Sequence, residues 1–91
     1  MWIANPRPGN LVPNSIVSIF LDDGFRYRFK CIVTKLGGGS VTLKVDGIFA
    51  DDDGTEVSGG DVCTQYLDQV ITAPVNVVWP AEATFAMVSC L

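Results

Sequence analysis

The 91-residue chain contains no histidine and only three cysteines. Because histidine is the usual base that activates Ser and Cys nucleophiles, its absence argues against an enzyme, and a small hydrolase ranks last among the functions considered. Cys31, Cys63 and Cys90 are odd in number and form no Cys-x-x-Cys pair, so neither a disulfide framework nor a zinc site is expected. We therefore expect no cofactor, free buried thiols and a reducing, cytoplasmic location.

Charge is also scarce, since charged residues make up 18% of the chain and hydrophobic residues 48%. No apolar run reaches the length of a membrane span, and the N-terminus has no signal-peptide pattern, so no membrane association is expected. The net charge of −4 argues against nucleic acid as a general partner, because such binding depends on a basic surface. A chain this small that is this apolar is expected to form a homo-oligomer, most often a dimer, and a different protein partner is also compatible.

Two loop-like segments carry patterns that resemble ligand sites. Aligning "ADDDGTEVSGGD" with a calcium loop places Phe49 and Gly60 where carboxylates are required, so a solvated turn is favoured over a metal site. The segment "GGGS" lacks the Lys-Ser or Lys-Thr pair of a phosphate loop and precedes a strand, which is typical of a hairpin turn.

The chain has two regions with different patterns. Residues 1–14 are rich in proline and predict an extended arm, docked through Trp2 and Ile3. Residues 15–91 predict a single β domain, and period-two alternation is clearest in "SIVSIFL", "FRYRFKCIVTKL" and "SVTLKVDG". These segments predict an antiparallel three-stranded meander with its odd-numbered positions in the core.

The turns suggest the register of this meander. Pairing Leu21 with Phe25 and Leu36 with Ser40 leaves three-residue loops with glycine third, where a left-handed conformation is needed. The same register places Val33 opposite Leu43 and Cys31 beside Val45, so Cys31 is expected to be buried and inert.

Other consequences of this register concern the charged side chains and Gly47. It places Lys30 opposite Asp46, Arg26 opposite Phe20 and the Phe29 ring over Gly47.

The C-terminal third is ambiguous. Tyr66, Leu67 and Val70 have helical spacing, which fits a short helix between Thr64 and Asp68, but "QVIT" favours a strand. The segment "PVNVVW" alternates as a strand does. The tail "PAEATFAMVSCL" begins like a helix yet alternates through Phe85 and Met87, and we favour a strand.

The segment "NSIVSIFLDDGFRYRFKCIVTKLGGGSVTLKVDG", about residues 15–47, resembles the SH3-like small barrels, Tudor-type members included. The resemblance implies an all-β fold, a partly open barrel of five or six strands built on the meander. No complete aromatic cage is recognisable, so methyl-lysine binding is not implied. In size and in lacking a catalytic motif, the chain also resembles the small proteins of bacterial mobile (integron) gene cassettes.

The stretch "FRYRFK" alternates rings with cations. Binders of single-stranded nucleic acid present both on one exposed face, whereas alternation here separates Phe25, Tyr27 and Phe29 from the cations. A core wall with a charged outer side is therefore favoured. A nucleic-acid-binding barrel that uses Arg26, Arg28 and Lys30 is the alternative.

Four apolar residues break the outer pattern of even positions: Ile16, Phe20, Ile32 and Ile48. The tail segment "TFAMVSCL" could cover them within one chain. We favour a non-enzymatic binding module that self-associates through this face, with Phe20, Ile32 and Ile48 central and Arg26 and Arg28 at the rim.

Overall fold

The computed structural model describes residues 1–50 and 54–89. Three long strands form the meander: β1 (Ile16–Asp22), β2 (Arg26–Gly37) and β3 (Ser40–Ala50). They are followed by α1 (Asp61–Tyr66), β4 (Val70–Pro74), a 3-10 turn (Val75–Val77), β5 (Trp79–Pro80) and α2 (Phe85–Ser89). The expectation of an all-β fold is confirmed, because one antiparallel sheet in the order β4-β3-β2-β1-β5 dominates the molecule. The sheet is open: in the part of the chain that is described, no pairing joins β4 to β5.

The inner face of the sheet forms the main core. Its buried side chains come from every long strand and include Ile19, Phe29, Val33, Leu43 and Val45. The pairs Val33–Leu43 and Cys31–Val45 have the predicted register, and odd positions point inward through this central part. Alternation of apolar and polar residues therefore predicts the core wall correctly where the ladder is regular.

Both predicted turns differ in detail from the structure. Asp22 pairs with Arg26, so the first loop is Asp23 to Phe25 and the β1–β2 register is two residues away from the prediction. Gly24 nevertheless has the expected positive φ, 85°. In the second hairpin Gly37 pairs with Ser40 around a two-residue turn, and the positive φ of 56° belongs to Gly38. That conformation is typical of a type II′ hairpin turn.

A β-bulge in β3 reverses the alternation near its end. Lys30 pairs with Gly47 while Cys31 pairs with Val45, so Asp46 is an extra residue in the ladder. Beyond it Ile48 pairs with Phe29 and is fully buried, and the predicted placement of Phe29 over Gly47 is wrong. Lys30 still forms its predicted ion pair, with Nζ 3.8 Å from the Asp46 carboxylate.

The ends of the chain lie against the meander. Ile3 donates its N–H to the Phe20 carbonyl (2.9 Å), and the Trp2 ring contacts the Phe29 ring edge-on at 5.4 Å, so the predicted docking of Trp2 and Ile3 is confirmed. The Asn5 side chain donates to the Val78 carbonyl at 2.9 Å. The tail is helical at α2, so the favoured strand is wrong there. The short helix α1 begins three residues before the predicted position.

Candidate functional site

A groove opens between the β1–β2 hairpin and the segment that leads into α1. Its volume is about 470 Å³, within the range of roughly 300 to 1,000 Å³ that is typical of ligand sites. The residues that line it come from both sides: Leu21, Asp23, Phe25, Tyr27, Val57, Gly59, Gly60, Asp61, Val62, Gln65 and Tyr66. This groove combines aromatic and acidic groups, and we take it as the candidate site.

The α1 side of the groove is fixed to the sheet by backbone hydrogen bonds. Val57 donates its N–H to the Ile48 carbonyl at 2.8 Å, and Glu56 forms an antiparallel bridge with Phe49. The Cys63 thiol donates to the Val57 carbonyl at 3.2 Å, which connects α1 to the same segment. Gly60 begins the helix with a φ of 92°, a conformation that favours glycine.

Tyr66, which lines one wall of the groove, belongs to an aromatic cluster. The Tyr66 ring lies 5.0 Å from the Phe29 ring and 5.9 Å from the Trp2 ring, measured between centroids. Such tilted and edge-on contacts stabilise a ring pair and hold each ring in one orientation. Tyr66 is therefore a preorganised surface, joined to the core through Phe29.

The opposite rim is formed by the hairpin tip. Phe25 follows Gly24 in the loop and is 74% exposed, which is unusual for a phenyl ring. Tyr27 lies on β2 and is half-buried. Rings therefore line the groove from both the hairpin and α1.

The charge in the groove is entirely negative. Asp23 and Asp61 line it and are exposed, and no lysine or arginine is among the lining residues. Within residues 1–50 and 54–89, neither carboxylate has an ion-pair partner. The groove thus offers aromatic faces and uncompensated carboxylates to a ligand.

The Cys31 thiol is not an activated nucleophile. Burial, with a smaller contribution from the Asp46 carboxylate, raises the pKa of the Cys31 thiol from 9.0 to about 12. Cys31 is therefore protonated at neutral pH, in line with the prediction that it is buried and inert. Cys63 is half-buried, and Cys90 lies outside the described residues. In the described chain, no group of three His, Cys, Asp or Glu side chains could hold a metal ion.

The structure buries two of the three residues predicted to be central in a self-association face. Phe20 is on the outer side of β1, but Trp79, Ala83, Val88 and Phe85 cover it completely. Its ring lies 4.8 Å from the Phe85 ring. Phe20 lies on the outer side of the sheet as predicted, but the tail covers it within one chain, which is the alternative to self-association that the sequence leaves open.

The other two residues have different outcomes. Ile48 is fully buried in the main core, because the bulge at Asp46 turns it inward. Ile32 keeps its outward direction and pairs with Ile16, which is 48% exposed. Only Ile32 and Ile16 therefore remain of the apolar outer face predicted from the sequence.

The three cations of the opening stretch lie on the outer face, each beside a partner. The Arg28 guanidinium lies 4.3 Å from the centroid of the Phe49 ring, and that of Arg26 lies at the same distance from the Phe85 ring. Arg26 also donates to the Ser89 hydroxyl at 3.3 Å. The predicted pairing of Arg26 with Phe20 is wrong, because the two-residue register difference places Arg28 opposite Phe20.

The groove itself was missed by sequence reasoning. The alternation predicts that Phe25 lies in the core because its number is odd, but in the structure Phe25 lies in the turn between β1 and β2. The available signal was the turn itself: a loop centred on Gly24 exposes whichever residue follows it. Nothing in the sequence pattern indicates that the loop before α1 returns to this hairpin.

No family model, curated protein or solved structure matches this chain. Among the helices of the described residues, none is long and apolar enough to cross a membrane.

Proposed function

We propose that this protein is a non-enzymatic binding module whose groove receives a positively charged organic group. The observation that carries the proposal is the lining of the groove, where three aromatic residues stand with two carboxylates and no cation. A cation over an aromatic face gains about 0.5–1 kcal/mol at an exposed site and about 2 kcal/mol when desolvated. Carboxylates at the rim add attraction to the same sign of charge.

The ligand class follows from the residues that line the groove. Rings on two sides, together with carboxylates, favour an ammonium or guanidinium group over an anion. Two sources supply such a group: a small alkylammonium compound, or a lysine or arginine side chain of a basic peptide. Both share the chemistry of an organic cation.

Several observations support a binding role without a catalytic step. The chain contains no histidine, and the Cys31 thiol is protonated at neutral pH because burial raises its pKa to about 12. Asp23 and Asp61 are exposed in the groove, where a cationic ligand can reach them.

The first test compares a cation with a neutral molecule of the same shape. Choline and its neutral tert-butyl isostere are titrated into the protein, and tyrosine and tryptophan fluorescence is recorded. We expect choline to bind and the isostere to bind much more weakly, because only the cation gains from the rings and carboxylates. A lysine-rich peptide, titrated in parallel, distinguishes a peptide ligand from a small molecule. Equal binding of choline and its isostere would contradict the proposal.

Substitutions at the rim locate the binding. Phe25→Ala and Asp61→Asn should each weaken binding about two- to fivefold, the factor that corresponds to one exposed cation–π contact or surface charge pair. The matched controls are Met87→Ala and Glu82→Gln, which remove an exposed apolar group and an exposed charge elsewhere. The controls should bind as the wild type does.

Nucleic-acid binding is the second candidate, and one observation favours it. Five of the six basic residues lie on β2 and β3: Arg26, Arg28, Lys30, Lys35 and Lys44. Single-stranded DNA bound there with micromolar affinity should dissociate steeply as salt rises from about 50 to about 200 mM. This candidate ranks second because the net charge is −4 and because Arg26, Arg28 and Lys30 already contact partners within the chain.

Three predictions from the sequence accompany this proposal. The resemblance of residues 15–47 to SH3-like barrels, the style of a bacterial gene-cassette protein and a cytoplasmic location stay predictions. Self-association also stays a prediction, but its surface must differ from the one centred on Phe20 and Ile48, since both are buried.

A further inference from the structure

The outer edge of β4 is an open edge of the sheet in the described residues, whereas other edges are largely covered. β5 pairs with β1 at Val17 and Ser18, and residues 1–3 pair with the other half of β1. The part of β3 beyond β4 is covered by Glu56 to Val57 and by Asp68 to Gln69. In residues 1–50 and 54–89, no strand or hydrogen bond reaches the outer edge of β4.

The hydrogen-bond pattern identifies the backbone groups at this open edge. Val75 donates its N–H to the Gly39 carbonyl, and the Gln69 carbonyl accepts the N–H of Val45. Because antiparallel ladders alternate, residues 69, 71, 73 and 75 bond to β3. The N–H groups of Val70 and Thr72, and the carbonyls of residues 70, 72 and 74, therefore point away from the sheet.

Sequence and charge make this edge suitable for a copy of itself. β4 reads Val-Ile-Thr-Ala-Pro and has no charged residue, whereas protected edges commonly carry charges. Two chains with net charge −4 repel each other, yet neither β4 nor its paired residues on β3 include a carboxylate.

We propose that β4 pairs antiparallel with β4 of a second copy, about a two-fold axis near Thr72. Val70 and Thr72 of each copy then donate to carbonyls of the other, and the two sheets join into one. Val70, which is 63% exposed, gains an apolar neighbour across the axis. Pro74 lacks an N–H and limits the pairing to the length of one short strand. The inference rests on the proposed self-association and gives it a surface.

Solution mass and amide exchange test this pairing. Sedimentation equilibrium of the wild type should give twice the chain mass of 9.8 kDa. Thr72→Pro removes an outward N–H without touching the ladder to β3, and Val70→Lys introduces like charges near the axis. Both variants should halve the mass. Val12→Lys is the matched control, since Val12 is 60% exposed on the N-terminal arm, and it should keep the wild-type mass.

The outcomes distinguish failure of the β4 edge pairing from failure of self-association as a whole. Circular dichroism confirms that each variant is folded, and the amides of Val70 and Thr72 should exchange slowly only in the dimer. A wild type that stays monomeric at high concentration would overturn both proposals and leave the edge for a strand of another protein. A dimer that survives both edge substitutions, with fast exchange at Val70 and Thr72, would overturn the edge pairing alone.

Discussion

Phe25 and Tyr66 contribute to the groove in different ways at the residue scale. Tyr66 is held by ring contacts with Trp2 and Phe29, so its orientation does not depend on a ligand. Phe25 is at the tip of a three-residue loop and has little else to contact. Removing the Phe25 ring should therefore affect binding with little effect on stability, whereas removing Tyr66 would disturb the core as well.

Burial raises the pKa of the Cys31 thiol. Its raised pKa means that the folded protein keeps a proton that the unfolded chain releases above about pH 9. Below about pH 9 both states keep this proton, so the thiol makes stability depend on pH only in the alkaline range. The free energy of unfolding should fall as pH rises from about 9 towards 12, by at most about 1.4 kcal/mol per pH unit.

This effect can be measured by urea unfolding at roughly pH 8 and pH 10. The wild type should lose about 1 kcal/mol more than Cys31→Ala between these two conditions, because only the wild type has the Cys31 thiol, whose pKa is raised in the folded state. Met87→Ala, which leaves Cys31 in place and changes an exposed side chain, should retain the wild-type pH dependence. Rapid labelling of Cys31 by a thiol reagent in the native state, or an unchanged slope in Cys31→Ala, would contradict the buried assignment.

At the scale of elements, the strands could be predicted where the ladder is regular. The pairs Val33–Leu43 and Cys31–Val45 follow from the alternation of apolar and polar residues. A slip of one residue would turn the apolar side chains of the strand to the solvent side. The bulge at Asp46 could not be predicted, because it depends on the balance between ladder pairing and the packing of Ile48. The same limit applies to the first hairpin, where two loop choices differ by two residues and keep the same inward face.

The C-terminal helix α2 shows why tertiary contacts decide an ambiguous segment. Its five residues carry both helical and strand signals, and such a short helix is not stable alone. Phe85 packs on Phe20 and lies under the Arg26 guanidinium, 4.3 Å from the ring centroid. The helical conformation of the tail is thus stabilised by the contact of Phe85 with the outer side of β1.

Phe85→Ala should therefore destabilise the fold by about 2 kcal/mol, less than a fully buried phenylalanine because the ring is half-buried. Met87→Ala changes the exposed side of the same helix and should alter stability by less than about 0.5 kcal/mol. Urea unfolding followed by tryptophan fluorescence compares the two. Equal free energies of unfolding for the two variants would show that the packing of Phe85 on Phe20 does not stabilise the fold.

For the whole molecule, most basic residues lie away from the groove. Most basic residues lie on β2 and β3, while Asp23 and Asp61 line a groove without cations. The composition gives the net charge but not this separation, because it arises from the return of the α1 segment to the first hairpin. The aromatic residues of the groove are visible in the sequence, but their proximity depends on the tertiary structure.

Amide chemical shifts recorded during titration with a lysine-rich peptide test the binding groove most directly. An uncharged peptide of the same length is the control. The largest changes should fall in residues 23–27 and 57–66, which contribute the lining of the groove, and the control peptide should produce none. Changes centred on Arg28, Lys30 and Lys44, or no change with either millimolar peptide or millimolar choline, would contradict a cation-binding groove between the hairpin and α1.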